Sequence, residues 1–386
     1  MIRIGSAVST IADSPKAARE AALKASNALG EAAPSLTFFF ITSHHAGRAD
    51  EVVKAIDAEI DSGAVIGCTS RAVIGEGQEI EDGPGIAVWC AHLADAYVEP
   101  FHVSLQELPD GQAIVGFPLT DGSAEAVFLL PDPYTFPIQS LLHSLNQDHP
   151  GLPIIGGLAD SDGSGNLIFM NGKIYDDGAV GALVGGNITV TPIVSQGCKP
   201  VGDPFVVTEA EGNVIYGLGG KPPLVRLKDV LSKSSPEDQA LVSSGLQLGV
   251  VIDEQQTEHE PGDFLIRGVL NANTDTGAMV IGDHVEVGQT VQFHLRDADS
   301  AGADLDGMLS MASDSVASTP KGALLFSCNG RGIRLFGLPD HDAQAIQTVL
   351  GELPVGGMFC AGEIGPVGGQ NFLHGLTASI ALFGDR

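Results

Sequence analysis

Along the chain, short apolar runs alternate with segments whose apolar residues recur at every third or fourth position, and the same order of patterns appears three times. The first copy is LTFFFITS from Leu36, a helical segment near Asp50 to Ile60, AVIGCTS at Ala64, a polar glycine turn, and GIAVW ending at Trp89. The second is AVFLLPD from Ala126, PIQSLLHSL, PIIGGLAD at Pro153, the hairpin NLIFMNGKIYDDG and the run AVGALV. The third is ALLFSCNG from Ala323, DAQAIQTVL, PVGGMFCAGE at Pro354, a loop to His374 and TASIALF. Continuous apolar runs bounded by turn residues read as buried strands, and a 3.6-residue recurrence reads as an amphipathic helix. Ile138, Leu141, Leu142 and Leu145 share one helical face, as do Val52, Ile56 and Ile60. The pattern predicts an α/β (α+β) fold of layered mixed β-sheets flanked by helices, built from repeated β-α-β-β units. The Gly-Cys, Gly-Gly and Gly-Gly pairs in the middle strands set the register between copies.

The flanks extend this plan. IRIGSAV and a helix from Pro15 to Leu29 precede the first copy; VQFHLRD and a helix from about Asp304 to Val316 precede the third, and the two read as a shared prefix. Ser14 is placed as N-cap and Pro15 as first helical residue, and the stripe Ala18, Ala21, Ala22 and Ala25 lets that helix lie close to a sheet. VVTEAEGNVIYGL reads as a hairpin turning at Glu211-Gly212-Asn213, and FLIRGVLNANTDTGAMVIG as another turning near Asp275-Thr276-Gly277. Pro222-Pro223 and the polar segment near Lys233 mark a seam between two domains, 1–224 and 225–386.

Composition narrows the function. The chain has 386 residues and a net charge of −29 with only 19 basic residues. Little here could build the cationic face that nucleic acid or an anionic membrane requires. The acid excess reads as a solvated surface. Apolar runs are shorter than a membrane span. Met1 opens directly into a strand pattern, and the five cysteines contain no CxxC pair. A cytoplasmic, thiol-reducing setting is expected, with neither a disulfide framework nor a metal site.

Candidate chemistry gathers in the third copy. Cys328 and Cys360 each end an apolar strand, and glycine loops follow. A strand-end cysteine ordinarily packs as a small hydrophobe. Its neighbours change the reading: Asn329 and Arg331 lie in the loop SCNGRG, and Arg331 offers a donor fork for a carboxylate or phosphate. Glu363 in CAGEIGP is hemmed by apolar residues and could pair with Arg331 or receive a ligand ammonium. Asn371 and His374 follow in the same loop, and Cys68 occupies the corresponding turn of the first copy. Arg267 and Arg296 sit in strand patterns, where an arginine needs a carboxylate partner or a cleft.

The motifs FSCNGRG and GGMFCAGEIGPVGGQNFLHGLTASIALF, with FLIRG and VQFHLRDA upstream, resemble the C-terminal half of FIST-domain proteins. VIGCTSRAVIG, PIIGGLADSDG and SQGCKPVGDPFVVTEAEGNVIYGLGGKPPL resemble the N-terminal half. The resemblance spans nearly the whole chain. It implies a sensory, signal-transducing module that binds a small ligand such as an amino acid or related carboxylate metabolite. The chain leaves no room for an output domain, so the signalling partner is expected to be a separate protein. Two alternatives stand beside this one. The first is a cysteine-dependent hydrolase or amidase with Cys328 as nucleophile, His374 as base and Glu363 as orienter. The second is a haem-binding gas sensor, as in some relatives; no histidine stands out as an axial ligand, so no cofactor is expected.

Overall fold

The computed structural model describes residues 1–109, 111–118, 122–163, 165–242, 245–256, 262–315 and 319–386. The first copy runs β1 (Arg3–Ser9), α1 (Ser14–Asn27), β2 (Leu36–Thr42), α2 (Ser43–Ala46), α3 (Ala49–Glu59), β3 (Val65–Ser70), β4 (Val73–Gly75), β5 (Gln78–Ile80) and β6 (Ile86–His92). The second runs β7 (Ala96–Leu108), β8 (Gly111–Val115), β9 (Ala124–Pro131), α4 (Ile138–Asp148), β10 (Ile154–Gly157), β11 (Ile168–Met170), β12 (Lys173–Tyr175) and β13 (Ala179–Gly186). Next come β14 (Ile188–Gln196), β15 (Cys198–Glu211), β16 (Val214–Leu218), α5 (Pro223–Leu231), α6 (Pro236–Leu241), β17 (Leu246–Val251), β18 (Phe264–Ala272), β19 (Met279–Ile281) and β20 (Thr290–Arg296). The third copy follows as α7 (Ala298–Ser315), β21 (Gly322–Cys328), α8 (Ile333–Phe336), α9 (His341–Leu350), β22 (Val355–Cys360), β23 (Glu363–Val367), β24 (Gln370–His374) and β25 (Thr377–Asp385). By compactness the chain divides into a first unit, Met1–Val194 with Leu305–Leu373 and Thr377–Arg386, and a second, Ser195–Asp304 with His374–Leu376.

The copies are built alike. Each has a parallel pair (β2 with β3, β9 with β10, β21 with β22) and a return strand antiparallel to the first member (β6, β13, β25). Each also carries a short hairpin, and that hairpin leaves its own copy. β4–β5 of the first copy extends the sheet of β22, β11–β12 of the second extends that of β3, and β23–β24 of the third extends that of β10. The resulting sheets run β1-β6-β2-β3-β11-β12, β8-β7-β13-β9-β10-β23-β24 and β14-β25-β21-β22-β4-β5.

A close contact fixes the register. A Cβ on Gly67 would lie 2.0 Å from the carbonyl oxygen of Phe39, one on Gly156 1.9 Å from that of Leu129, and one on Gly357 1.8 Å from that of Leu325. Each of these glycines sits opposite the named residue in its parallel pair. Gly67, Gly156 and Gly357 are therefore equivalent, which moves the third copy one residue along from the alignment read off its Gly356-Gly357 pair. Cys68, Gly157 and Met358 come next in each strand, and they meet. Cys68 Sγ lies 3.3 Å from Met358 Sδ, and a Cβ on Gly157 would come within 3.2 Å of Met358 Cε.

The inner faces of the sheets share one core. Phe38 meets Phe128 edge-on at 5.4 Å, Phe40 meets Phe326 at 6.2 Å, and Phe383 stacks on Phe128 at 5.5 Å. Aromatic pairs of this geometry add about 0.5–1.5 kcal/mol each beyond area burial. The outer faces carry helices. α1 and α3 cover the first sheet with Ala18, Ala21, Ala22, Ala25, Val52 and Ile56; α4 covers the second with Ile138, Leu141, Leu142 and Leu145. Leu305, Leu309, Ala343 and Ile346 of α7 and α9 cover the third. The alanine stripe allows the approach foreseen: a Cβ on Gly5 of β1 would lie 2.1 Å from the Ala25 oxygen. The cap of α1 is Asp13, which accepts from the Lys16 N–H at 3.2 Å; Ser14 is buried, and its hydroxyl meets His45 Nδ1 at 2.9 Å.

The shared prefix needs a second correction. VQFHLR forms β20, which closes a barrel of order β15-β16-β19-β18-β17-β20 in the second unit. The place of β1 in the third sheet is taken by β14, and the barrel is inserted in the chain between β14 and α7. Edge strands are chosen by pairing, and an apolar strand pattern alone does not name its partner. Both expected hairpins occur within the barrel, with Glu211 opposite Val214 and Ala272 opposite Met279. Val207, Leu248, Met279 and Phe293 fill it. Pro222 caps and Pro223 begins α5 inside this unit.

Gly357→Ala is expected to destabilise the protein by about 1–3 kcal/mol, as overpacking does. Gly47→Ala, where an added Cβ meets nothing within 4 Å, is expected to stay within about 0.5 kcal/mol. Urea denaturation of both variants checks the contrast.

Candidate functional site

The carboxyl ends of the parallel strands in the first unit converge. The Asp160 N–H reaches the Thr69 oxygen at 3.2 Å, the Leu158 N–H reaches the Gly362 oxygen at 2.9 Å, and the Asn329 N–H reaches the Cys360 oxygen at 3.0 Å. Loops beyond the carboxyl ends of strands are where α/β sheets place ligands.

The floor of the site belongs to the third copy. Cys328 and Cys360 lie opposite each other in β21 and β22. Glu363, the first residue of β23, is fully buried opposite Gly157. The same strand position holds Val73 in the first copy, opposite Met358, and Ile168 in the second, opposite Cys68. A carboxyl thus stands where the repeat otherwise puts an aliphatic side chain. Its oxygens are satisfied locally. Thr377 donates its N–H at 3.0 Å and its hydroxyl at 2.8 Å to Oε2, Cys360 Sγ lies 3.5 Å from Oε1, and Cys328 also hydrogen-bonds the carboxyl. Burial pushes Glu363 up to about 7 against these hydrogen bonds. Burial, and then the Glu363 charge, push the Cys360 thiol well above its ordinary range. Below this layer Cys68 packs against Met358, and burial raises its thiol too.

The rim is polar and draws on all three copies. The Asn329 amide donates to Asp160 Oδ2 at 2.6 Å, and Arg71 Nε lies 3.4 Å from the same oxygen. The Arg71 side chain is 51% exposed. Oδ1 of Asn329 is buried and has no hydrogen-bond partner among the described residues.

Arg331 occupies a different environment from the anion pocket anticipated. It is fully buried, and its fork is closed on Asp342, Nε to Oδ2 at 2.7 Å and Nη2 to Oδ1 at 2.9 Å. Asp342 further accepts from Ser327 Oγ at 2.8 Å and meets His341 Nδ1 at 2.9 Å. Burial alone would raise the Asp342 carboxyl, but Arg331 outweighs it and holds Asp342 well below the usual carboxylate range. Nearby Glu79 is pushed up to about 8, first by burial and then by the Asp342 charge. The loop is tied at its exposed end by Glu81, which accepts the Ile333 N–H at 2.8 Å. Arg331 is thus an internal strut of the SCNGRG loop.

The remaining candidates separate. Asn371 is a buried clamp: its amide donates to Asn146 Oδ1 at 3.0 Å and to the Leu152 oxygen at 2.9 Å, and accepts the Ile154 N–H at 2.8 Å. Arg267, Arg296 and His374 belong to the second unit. There Arg267 Nε pairs with Asp283 at 2.6 Å, and Arg296 ends β20 opposite Cys198. Sequence reasoning passed over Arg71, Asp160, Thr377 and Asp342. The signal for the first two was present in the repeat: Arg71 and Asp160 are each the fourth residue after the equivalent glycines Gly67 and Gly156, as Ala361 is after Gly357. Among the described residues, no group of three or more His, Cys, Asp or Glu side chains is arranged to hold a metal ion, and no helix is long and apolar enough to cross a membrane.

The sequence matches known proteins along its length. Residues 35–221 match the FIST N domain and residues 223–366 match the FIST C domain. FIST domains are associated with sensory and signal-transduction proteins. An uncharacterized protein of Mycobacterium tuberculosis is 43% identical over 386 residues, covering 100% of both chains. One of Mycobacterium bovis is 42% identical, covering 100% of this chain and 99% of its own. An uncharacterized protein of Methanocaldococcus jannaschii is 39% identical over 84 residues, 21% of this chain and 16% of its own.

Two measurements check the electrostatics. The folded Glu363 value of about 7 lies above the unfolded value of 4.5. The protonated carboxyl therefore contributes stability fully below the unfolded value, and that contribution is lost as pH rises through about 7. Relative to Glu363→Gln, the wild type is expected to lose on the order of 3 kcal/mol between about pH 5 and pH 8, read from urea midpoints. Arg331→Ala leaves Asp342 buried without its cation and is expected to cost roughly 3–5 kcal/mol of stability in the same assay.

Proposed function

This chain is a member of the FIST family, and from that premise we propose that it is a sensor that binds a free amino acid or closely related carboxylate metabolite at the mouth formed by Arg71, Asp160 and Asn329. The observation that carries the reading is the buried Asn329 Oδ1, an acceptor with no partner among the described residues. Buried acceptors are ordinarily satisfied, so one left open beside two opposite charges suits a donor arriving with a ligand. An α-ammonium placed there would also meet Asp160. An α-carboxylate would meet the half-exposed guanidinium of Arg71, whose fork suits that group. Cys328 forms part of the wall, and its signal passes to a separate partner protein through the change in state that binding favours.

The cysteine-hydrolase alternative has less support, since Glu363 is held by Thr377 and both thiols. The binding reading needs no cofactor; a haem-loaded protein would declare itself by visible absorbance in the same preparation.

The test begins with a thermal-shift screen of amino and keto acids, where a ligand at about 100 times its dissociation constant stabilises by about 2.7 kcal/mol. Calorimetry on the ligand found should then show Arg71→Ala and Asp160→Asn weakening binding by roughly ten- to a hundredfold, the effect of losing a charge-assisted hydrogen bond. Cys328→Ser should change affinity by less than about tenfold. Undiminished binding by Arg71→Ala would sink the proposed mode, and turnover of the ligand that is abolished in Cys328→Ser would establish the enzyme instead.

A further inference from the structure

The pair of thiols at the floor of the mouth supplies only wall to the ligand site as proposed, and their placement is specific. Cys328 and Cys360 are register partners in the parallel strands β21 and β22. Residues in register across a parallel pair face the same side of the sheet, and adjacent strands lie about 4.8 Å apart. That spacing falls within the window of about 4.4–6.8 Å between Cα atoms in which a disulfide can close. Both thiols also hydrogen-bond one carboxyl, that of Glu363, so their sulfurs converge on a single point.

The two cysteines differ in access and surroundings. Cys328 is 9% exposed at the mouth, whereas Cys360 is fully buried. The Gly330 N–H points to Cys328 Sγ at 3.4 Å, and the Arg331 guanidinium is close enough to feel the Cys328 charge. Backbone donors and a nearby arginine stabilise a thiolate. The corresponding positions elsewhere in the repeat are Thr42 opposite Ser70 in the first copy, and Asp132 and Ala159 just past the paired segment in the second. Only the third copy places sulfur on both strand ends.

We infer that Cys328 and Cys360 are a peroxide-reactive pair that closes reversibly to a disulfide, with Cys328 the attacking and Cys360 the resolving thiol. In the first step the Cys328 thiol proton passes to the Glu363 carboxylate. The sulfur then attacks one oxygen of hydrogen peroxide; an S–O bond forms, the O–O bond breaks, and the departing hydroxide takes the proton as water. In the second step Cys360 sulfur attacks the sulfenic sulfur; the S–S bond forms, the S–O bond breaks, and the hydroxide leaves as water with the Cys360 proton. Two thiols and one peroxide become one disulfide and two waters: each sulfur is oxidised by one electron, and the peroxide oxygens are reduced. Closing the bond removes both thiol donors from Glu363 and ties β21 to β22 beneath Asn329. A disulfide across in-register parallel strands is strained in its Cβ spacing, and strained bridges are the readily reduced, regulatory ones. The inference stands on the thiol geometry and not on the amino-acid reading, and its test uses no ligand.

The experiment treats the folded full-length protein with a small excess of hydrogen peroxide, blocks remaining thiols after denaturation, and maps the peptides by mass spectrometry. The expected result is a Cys328–Cys360 cross-linked peptide that dithiothreitol removes, with Cys68 and Cys90 still alkylated. In Cys360→Ser, a dimedone adduct should appear on Cys328; in Cys328→Ser, Cys360 should remain a free thiol. Cys198→Ser, changed in the other unit, should leave the cross-link intact. Oxidation of the wild type that stops at Cys328 sulfinic acid, that bridges other cysteines, or that leaves both thiols free overturns the proposal. That wild-type map decides the matter even if a serine variant fails to fold.

Discussion

The first unit depends on a backbone contact that admits no side chain. Gly67, Gly156 and Gly357 each pass so close to a carbonyl of the neighbouring parallel strand that a Cβ would overlap it. With these strands drawn in, the residue after each glycine turns toward the others, and Cys68, Gly157 and Met358 pack together. The outer edge of each such strand is then completed by a hairpin from a different copy. None of the sheets is finished by its own residues. The shared aromatic core, the covering helices and the converging loop ends all follow from that exchange.

Within a scaffold repeated this closely, departures from the repeat mark where the common plan has been set aside. Glu363 is the clearest, because Val73 and Ile168 show what the position requires for packing alone. Burying a carboxyl costs several kcal/mol unless it is neutral or well hydrogen-bonded. Here both remedies operate: Thr377 and the thiols supply donors, and burial shifts the group toward its protonated form. Arg331 represents the opposite solution. It keeps its charge by closing on Asp342, and so serves the loop that carries Cys328 and Asn329 rather than presenting a cation to solvent.

Much of the fold was legible in the sequence because its signals are local. The helical stripes at Val52 and Ile56, and at Ile138 and Leu141, are buried as their spacing requires. The two barrel hairpins turn where glycine and polar residues cluster. What was not legible is partner choice. VQFHLR has the same alternation whether it pairs in a sheet or a barrel, and nothing local to the hairpin at Val73 says that it will join Met358. The site was legible to the same degree. Cys328, Cys360 and Glu363 announced themselves by their strand ends and do lie together. Arg331 was misread because its partner, Asp342, sits in a helix start where aspartate is ordinary. Arg71 and Asp160 were missed because a lone charge after a strand has meaning only when three loop ends meet.

The exchange of hairpins also governs the order in which the chain can acquire its structure. β4 and β5 lie near the beginning, yet the strand they extend, β22, is among the last to be synthesised, with the entire barrel between them. Until Val355–Cys360 emerges, Val73 and Ile74 lack the strand they pair with on that side and present an open strand edge. Contacts of such long sequence separation close slowly, and unpaired edges of partly made chains are where misassociation starts. A ribosome making this protein therefore carries an unmet hairpin for most of the synthesis, and the third sheet stays open until the strand that holds Cys360 has emerged.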